Sequence, residues 1–475
     1  MKTTIYHILT KAVAIGLLVT ASSCESFLDI DDPKSLVSVL QVYSDDVTAT
    51  AAITGIYNEL MNTQGFASGS NVSVSALAGL SADELLDFSR KNNTNLQFEQ
   101  NRILPTNASI LTLWNSMYTI IYQCNAALTG IEASTGLTPV TKSQLTGESK
   151  LIRAFANFYL VNLFGDVPLI TATDYEMNSR VTRVSADEVY AKIITDLQEA
   201  STLMGNDYPA IEDDLFTKSR ARANRYCALA LLARVYLYRG VWQKAEEAAT
   251  EVIEASDKYV LVQDLNSVFL KNSSEAIWQI QPQTPGTTGA TNEAYYFVNF
   301  NPNYNILRLE LLNSFEDGDL RRSAWTSSTT DGNGEVSYAY KYKQSDPFGP
   351  LLEYSTQLRL AEMYLIRAEA SARLGNISAS VEDVDAIRAR AGLASVTEQY
   401  EDISAEQLLT SIAHERRVEL FTESGHRWLD LKRTGQASIA LSGLKGQWDG
   451  NDELYPLPQS EFEKNNALGL QNKGY

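Results

Sequence analysis

Two stretches constrain the fold more than any others, residues 228–255 (ALALLARVYLYRGVWQKAEEAATEVIEA) and 358–390 (LRLAEMYLIRAEASARLGNISASVEDVDAIRAR). Each reads as two short helices joined at a glycine, Gly240 or Gly375. Small residues fall where the two helices must approach closely: Ala233, Ala245 and Ala249 in the first, Ala368 and Ser380 in the second, with Tyr236 adding a ring. One helical hairpin cannot bury its own apolar face, so such units stack. A weaker copy ends at Gly165. The units are not adjacent in sequence, so residues 256–355 interrupt the array.

The spacing is that of tetratricopeptide repeats, and the fold class expected is mainly α, a helical-repeat scaffold with a loop-rich insert carrying a few short strands. The apolar periodicity predicts helices near 44–62, 81–87, 109–132, 142–164, 185–203, 222–239, 242–256, 356–374, 377–391, 404–423 and 426–433. Ser81 to Glu84, Thr141 to Gln144, Ser185 to Glu188 and Ser404 to Gln407 match the capping box, in which the first side chain and the fourth residue satisfy each other's backbone. Gly165, Gly240, Gly375 and Gly435 follow periodic runs, as helix-ending glycines do.

The insert reads differently. AIWQIQP (276–282) and SYAYKYK (337–343) alternate like strands, and Asp331 to Gly334 (DGNG) supplies a hairpin turn before the second. PGTTGATNEAYYFVNFNPNYN (285–305) reads as an aromatic loop. Residues 63–80 and 87–106 form two further loop-rich excursions.

At the amino terminus, Lys2 and Lys11 flank a short apolar run, AVAIGLLV (12–19), followed by TASSCESFLDIDDP (20–33). The run is far shorter than the ~20 residues that cross a bilayer and fits a signal peptide with small residues at its cut. An ordinary cleavage site, a buried core cysteine and a lipid-bearing cysteine compete for Cys24. The small residues ahead of it favour cleavage before Cys24 and a thioether-linked lipid on its sulfur. Expected boundaries are therefore a removed leader at 1–23, an acidic tether at 24–43, a helical part at 44–255, the irregular lobe at 256–355, and helical repeats with a tail at 356–475. Cys124 and Cys227 sit among helical apolar residues and read as small buried hydrophobes.

The formal charge of −19 repels polyphosphate backbones and argues against a nucleic-acid partner. With three histidines, one of them in the leader, triad chemistry is starved of bases. HERRV (414–418) places Val418 where a zinc-binding HExxH helix needs its second histidine. Glu415, Arg416, Glu419, Arg427, Asp430 and Arg433 read instead as an ion network across neighbouring helices. Asp83 and Glu84 could form an acid pair, but a capping box explains them more simply. Glu212, Asp213 and Asp214 read as solvated charge. No cofactor is expected; Asp331 to Glu335 (DGNGE) offers oxygen ligands for calcium without the twelve-residue EF-hand layout.

Several blocks together resemble one family. CESFLDIDDP (24–33), ESKLIRAFANFYLVNLFGDVPLIT (148–171), ELLNSFEDGDLRR (310–322), HERRVELFTESGHRWLDLKRTG (414–435) and LYPLPQSEFEKNNALGLQNKGY (454–475) are similar, in order, to blocks of the SusD/RagB-like lipoproteins of Bacteroidetes. The resemblance implies a lipid-anchored protein on the outer face of the outer membrane. It implies binding of an oligosaccharide or polysaccharide without catalysis, and a partner transporter of the TonB-dependent, SusC-like type. A lipid-anchored protein-interaction scaffold and an all-helical glycoside hydrolase are the competing readings; hydrolysis would need two carboxyls ~5–10 Å apart across the scissile bond.

No binding residue carries over, because the loops match no fixed motif. Glycan binding needs flat rings with amide, hydroxyl or charged neighbours, and the loops offer such groupings: Phe66 with Asn71; Phe88 with Arg90, Asn92 and Asn93; Tyr295, Tyr296 and Phe297 with Asn299; and Trp325.

Overall fold

The computed structural model describes residues 39–88, 93–209, 219–282, 289–298, 305–331, 334–398, 400 and 402–475. The expected leader, Cys24 and most of the expected tether lie outside the described residues, as do Glu212, Asp213 and Asp214. At the tether's end, Val39–Val42 is helical and Tyr43 is buried.

The helices that matter most are α1 (Asp46–Leu60), α2 (Val74–Ser81), α3 (Ala108–Ala133), α4 (Pro139–Phe164), α5 (Ala186–Leu203), α6 (Arg225–Tyr238) and α7 (Trp242–Glu254). They continue with α8 (Asn292–Val298), α9 (Leu360–Arg373), α10 (Ile377–Arg390), α11 (Ala405–Glu419) and α12 (His426–Arg433). From α3 to α7 each helix packs on the next; α9 then packs on α7, and α10 and α11 follow. The stack is therefore continuous in space although the chain leaves it for about a hundred residues between α7 and α9.

The small residues do what their spacing suggests. Ala233, Ala245, Ala249 and Ala368 are fully buried, and Ser380 donates its hydroxyl to the Ala368 carbonyl at 2.7 Å. Only two helices in near contact permit that bond. Gly240 and Gly375 take φ of 66° and 85°, which glycine adopts without a Cβ penalty. Cys124 and Cys227 are buried and unpaired, and burial pushes both thiols up to about 12.

Two of the helix starts expected from capping boxes differ in the structure. α4 begins at Pro139, capped by Thr138, because the Thr141 hydroxyl is engaged by Asp46 at 2.8 Å. The helix expected at 81–87 is absent. Ser81 ends α2, which Ser73 caps, and Leu85–Asp87 is a strand, β1. The local capping signal loses to tertiary charge: Asp83 is buried and takes Arg427 at 2.7 and 2.9 Å and Arg417 at 2.7 Å. The Ser81 hydroxyl bonds that of Tyr455 at 2.8 Å instead. By contrast Ser404 and Gln407 form the full reciprocal box at α11.

The insert is closed at its stem. Its incoming strand β2 (Ala276–Ile280) pairs antiparallel with the outgoing strand β6 (Ser355–Arg359), with Trp278 opposite Leu358. Both strands are buried on every residue, so the stem runs through the core rather than over it. Between them, β3 (Asn305–Leu307) pairs with β1, and β4 (Thr326–Asp331) pairs antiparallel with β5 (Gly334–Ala339), Asp331 opposite Gly334. α8, within the stretch expected to be loop, is a helix of seven residues.

The expected ion network exists and is larger than its sequence block. Glu419, fully buried, faces Arg321, Arg359 and Arg390, while Glu415 takes Arg321 and Arg388. Arg416 and Arg433 share Asp430, and Arg433 also takes Glu369. Arg321, Lys341 and Arg359 come from the insert and its stem, so these charges sew the lobe to the scaffold.

Candidate functional site

In the lobe, several exposed or half-buried rings lie on elements that pack on one another. β3 lies between β1 and the hairpin strand β5, and α8 packs against both β3 and β5. This arrangement brings the helix carrying Tyr295 and Tyr296 against the strand carrying Tyr338. Tyr295 is 38% exposed and Tyr296 half-buried, their rings edge to face with centroids 5.3 Å apart. Tyr338 and Tyr340, both half-buried, repeat the arrangement at 6.2 Å and 85°. Phe88 is half-buried just beyond β1. Beneath, Asp87 and Asn305 stand opposite each other across the β1–β3 pair, both buried.

α8 is seated on a buried acid. Glu293, in its first turn, accepts the Ser355 hydroxyl from β6 through Oε1. Gly69, at φ 74°, packs so closely that a Cβ there would collide with the Glu293 side chain. Burial, with the Glu353 carboxylate nearby, raises the Glu293 carboxyl to about 7. Burial also lifts the Tyr296 hydroxyl, with Tyr295 adding to it.

Three of the expected platform rings are not on this face. Phe66 is 1% exposed and packs on Phe155 and Tyr159 at 5.5 and 5.6 Å, which makes it scaffold core. Phe297 points inward from α8, where helical geometry separates it from its exposed neighbour Tyr295. Trp325 is fully buried, donates its indole N–H to the Leu265 carbonyl at 2.9 Å, and has the Lys341 ammonium 4.8 Å from its ring centre. It belongs to the lobe–scaffold joint. Asn71 is half-buried in the loop that contains Gly69, ahead of α2. Asn93 opens the helix Asn93–Glu99, while Arg90, Asn92 and Asn299 lie outside the described residues. Tyr338 and Tyr340 are not among the expected ligand groups, although SYAYKYK carries the signal as rings on every second residue.

Glu84 has its carboxyl raised to about 8 by burial and by adjacent Asp83, the kind of shift a general acid needs. It is 1% exposed and its Oε2 accepts the Thr422 amide, so no substrate reaches it. The expected calcium ligands fall partly outside the described residues, and Glu335 accepts the Ser328 hydroxyl at 2.6 Å. Among the described residues one trio of possible metal ligands, Glu316, His414 and Glu415, gathers within 4.8 Å. Arg388 donates to both carboxylates, so a guanidinium stands where a metal ion would.

A cavity of about 1380 Å³ lies elsewhere, between α1, the start of α4 and Lys271. Among the described residues its two tyrosines, Tyr57 and Tyr354, are buried and offer no exposed ring to a sugar. The ring-bearing lobe face remains the better candidate.

The amino-terminal stretch, residues 26–237, matches a family model described as starch-binding and associating with the outer membrane, and residues 340–475 match the SusD family model. The chain belongs to the SusD/RagB-like family. It is 28% identical to SusD-like protein P2 of Formosa agariphila, with 98% of this chain and 99% of that one covered, and 24% identical to SusD-like protein P25 of the same organism, with 98% of each covered. Among solved structures, a laminarin-binding SusD-like protein aligns with TM-score 0.76 and 26% identity over 91% of this chain and all of that one. The two matched stretches of this SusD-family chain hold most of the helical stack. α8, β3, β4 and β5 fall between them, in residues 238–339 that neither family model covers. The family is thus legible in the scaffold, and the candidate face lies in the part that the models leave out.

Proposed function

We propose that this protein captures an oligosaccharide on the face formed by Tyr295, Tyr296 and Tyr338, and passes it uncleaved to a SusC-like TonB-dependent transporter. The observation that carries the reading is the packing of α8 on β5, which sets the helix of Tyr295 and Tyr296 beside the strand of Tyr338 and Tyr340. A tyrosine ring offers a flat apolar surface to the C–H face of a pyranose, and its hydroxyl a hydrogen bond to the sugar. The matched family description and the laminarin-binding neighbour support a glycan as the ligand class.

The same reading assigns Cys24 as the first residue of the mature protein and its lipid attachment point, holding the lobe at the outer surface of the outer membrane. Affinity electrophoresis of the mature protein through gels containing starch, laminarin or other polysaccharides tests the binding. Retardation by at least one neutral polysaccharide is expected; uniform mobility in a broad panel, with transporter capture intact, favours the protein-scaffold reading. Cys24→Ala is expected to leave the fold intact and release the protein from carbonate-washed membranes. Retention there would refute the anchor.

A further inference from the structure

We infer that Glu293 is a positioning residue that seats α8 on the stem, and that α8 holds its Tyr295–Tyr296 platform most firmly when Glu293 carries a proton. The consequence for glycan capture rests on the reading above; the seating of α8 does not.

The geometry makes the carboxylate form costly. Glu293 is 8% exposed, and Oε2 has no hydrogen-bond partner among the described residues. Oε1 accepts the Ser355 hydroxyl from β6, and the Glu293 amide and Thr291 hydroxyl also favour the carboxylate, but burial outweighs all three. The groups around it are neutral or acidic: Gly69 from the loop before α2, Ser355 from β6, the Tyr342 ring system, and Glu353, whose charge opposes a second negative one. Among the described residues no lysine, arginine or histidine forms an ion pair with it. Glu353 is itself held by the amides of Lys343 and Gln344 at 2.8 and 3.1 Å, and the Lys343 ammonium turns away to the Ala324 carbonyl. A buried acid in such a setting keeps its proton or opens its surroundings to water.

The sign follows from linkage. In the seated helix the carboxyl titrates near 7, against the ordinary 4.5 when α8 is open to water. Between those values only the seated state holds the proton, so opening becomes about tenfold easier for each pH unit gained, and levels off above 7. Tyr295 and Tyr296 follow Glu293 by two and three residues on the same short helix, so their angle to β5 depends on that seat.

Amide hydrogen exchange, corrected for intrinsic rates, tests this on the mature wild-type protein at pH 5, 6, 7 and 8. Protection of Ala294 to Val298 is expected to fall roughly tenfold per unit from pH 5 to 7 and stay level to pH 8, while α4 amides keep theirs. E293Q, which retains an acceptor for Ser355, is expected to give a flat profile. Ser355→Ala removes a bond that favours the carboxylate and is expected to move the fall to higher pH. A flat wild-type profile from pH 5 to 7, or an equal fall in E293Q or in α4, overturns the proposal. No glycan enters the measurement, so a failure to find a ligand leaves its outcome readable, and a flat profile leaves the glycan reading standing.

Discussion

Glu275, at the entrance to the insert's stem, accepts from Arg390 through both carboxylate oxygens, at 3.0 and 2.9 Å, across 115 residues of sequence. Both are fully buried, and Arg359 joins them at 3.0 Å. The pair joins the start of the lobe to the last helix of the second hairpin. Its chief role is register: a buried ion pair adds little net stability over an apolar one, but breaking it strands a charge.

Removing one partner is therefore the informative change. Glu275→Ala leaves Arg390 and Arg359 short of a carboxylate and is expected to cost about 3–5 kcal/mol in denaturant unfolding. A loss below about 1 kcal/mol, the range of an exposed pair, would mean the network does not hold the lobe.

Glu84 sets a pH dependence of stability. Its folded carboxyl is raised to about 8, from an ordinary 4.5, by burial and by Asp83, with Arg427 and Lys341 opposing. A raised acid contributes stability that is whole below pH 4.5 and is lost as pH rises to about 8. Glu84→Gln is expected to flatten part of the decline between pH 5 and 8 in a series of urea midpoints. Parallel curves for the variant and the wild type would contradict the assignment.

Trp325 and Tyr295 separate core from surface. Trp325→Ala is expected to cost about 3–5 kcal/mol, as for other buried aromatic truncations, whereas Tyr295→Ala stays within about 1 kcal/mol of wild type. Equal losses would place both rings in the core and remove the platform.

The scaffold was legible because its signals are local and redundant. Ala233, Ala245, Ser380, Gly240 and Gly375 each report a close approach or a turn, and all agree with the apolar period. The Ser81–Glu84 motif misled because Asp83 and Glu84 answer to residues more than three hundred positions away. Aromatics in polar stretches were the least readable. Phe66, Phe297 and Trp325 look like Tyr295 in sequence, and only the packing of α4, α8 and the lobe–scaffold joint decides which are buried. α8 itself was missed, since a seven-residue helix bounded by turn-forming residues has too few turns to show a period.

Isothermal titration of the mature protein and of the Tyr295→Ala, Tyr338→Ala double variant against the retarding polysaccharide, with reducing ends assayed in the same samples, bears most directly on function. Saturable binding by the wild type, no new reducing ends, and affinity about tenfold weaker in a normally folded double variant are expected, from ~0.5–1 kcal/mol per ring contact. Reducing-end release by the wild type, or undiminished binding by the double variant, would contradict capture on this face.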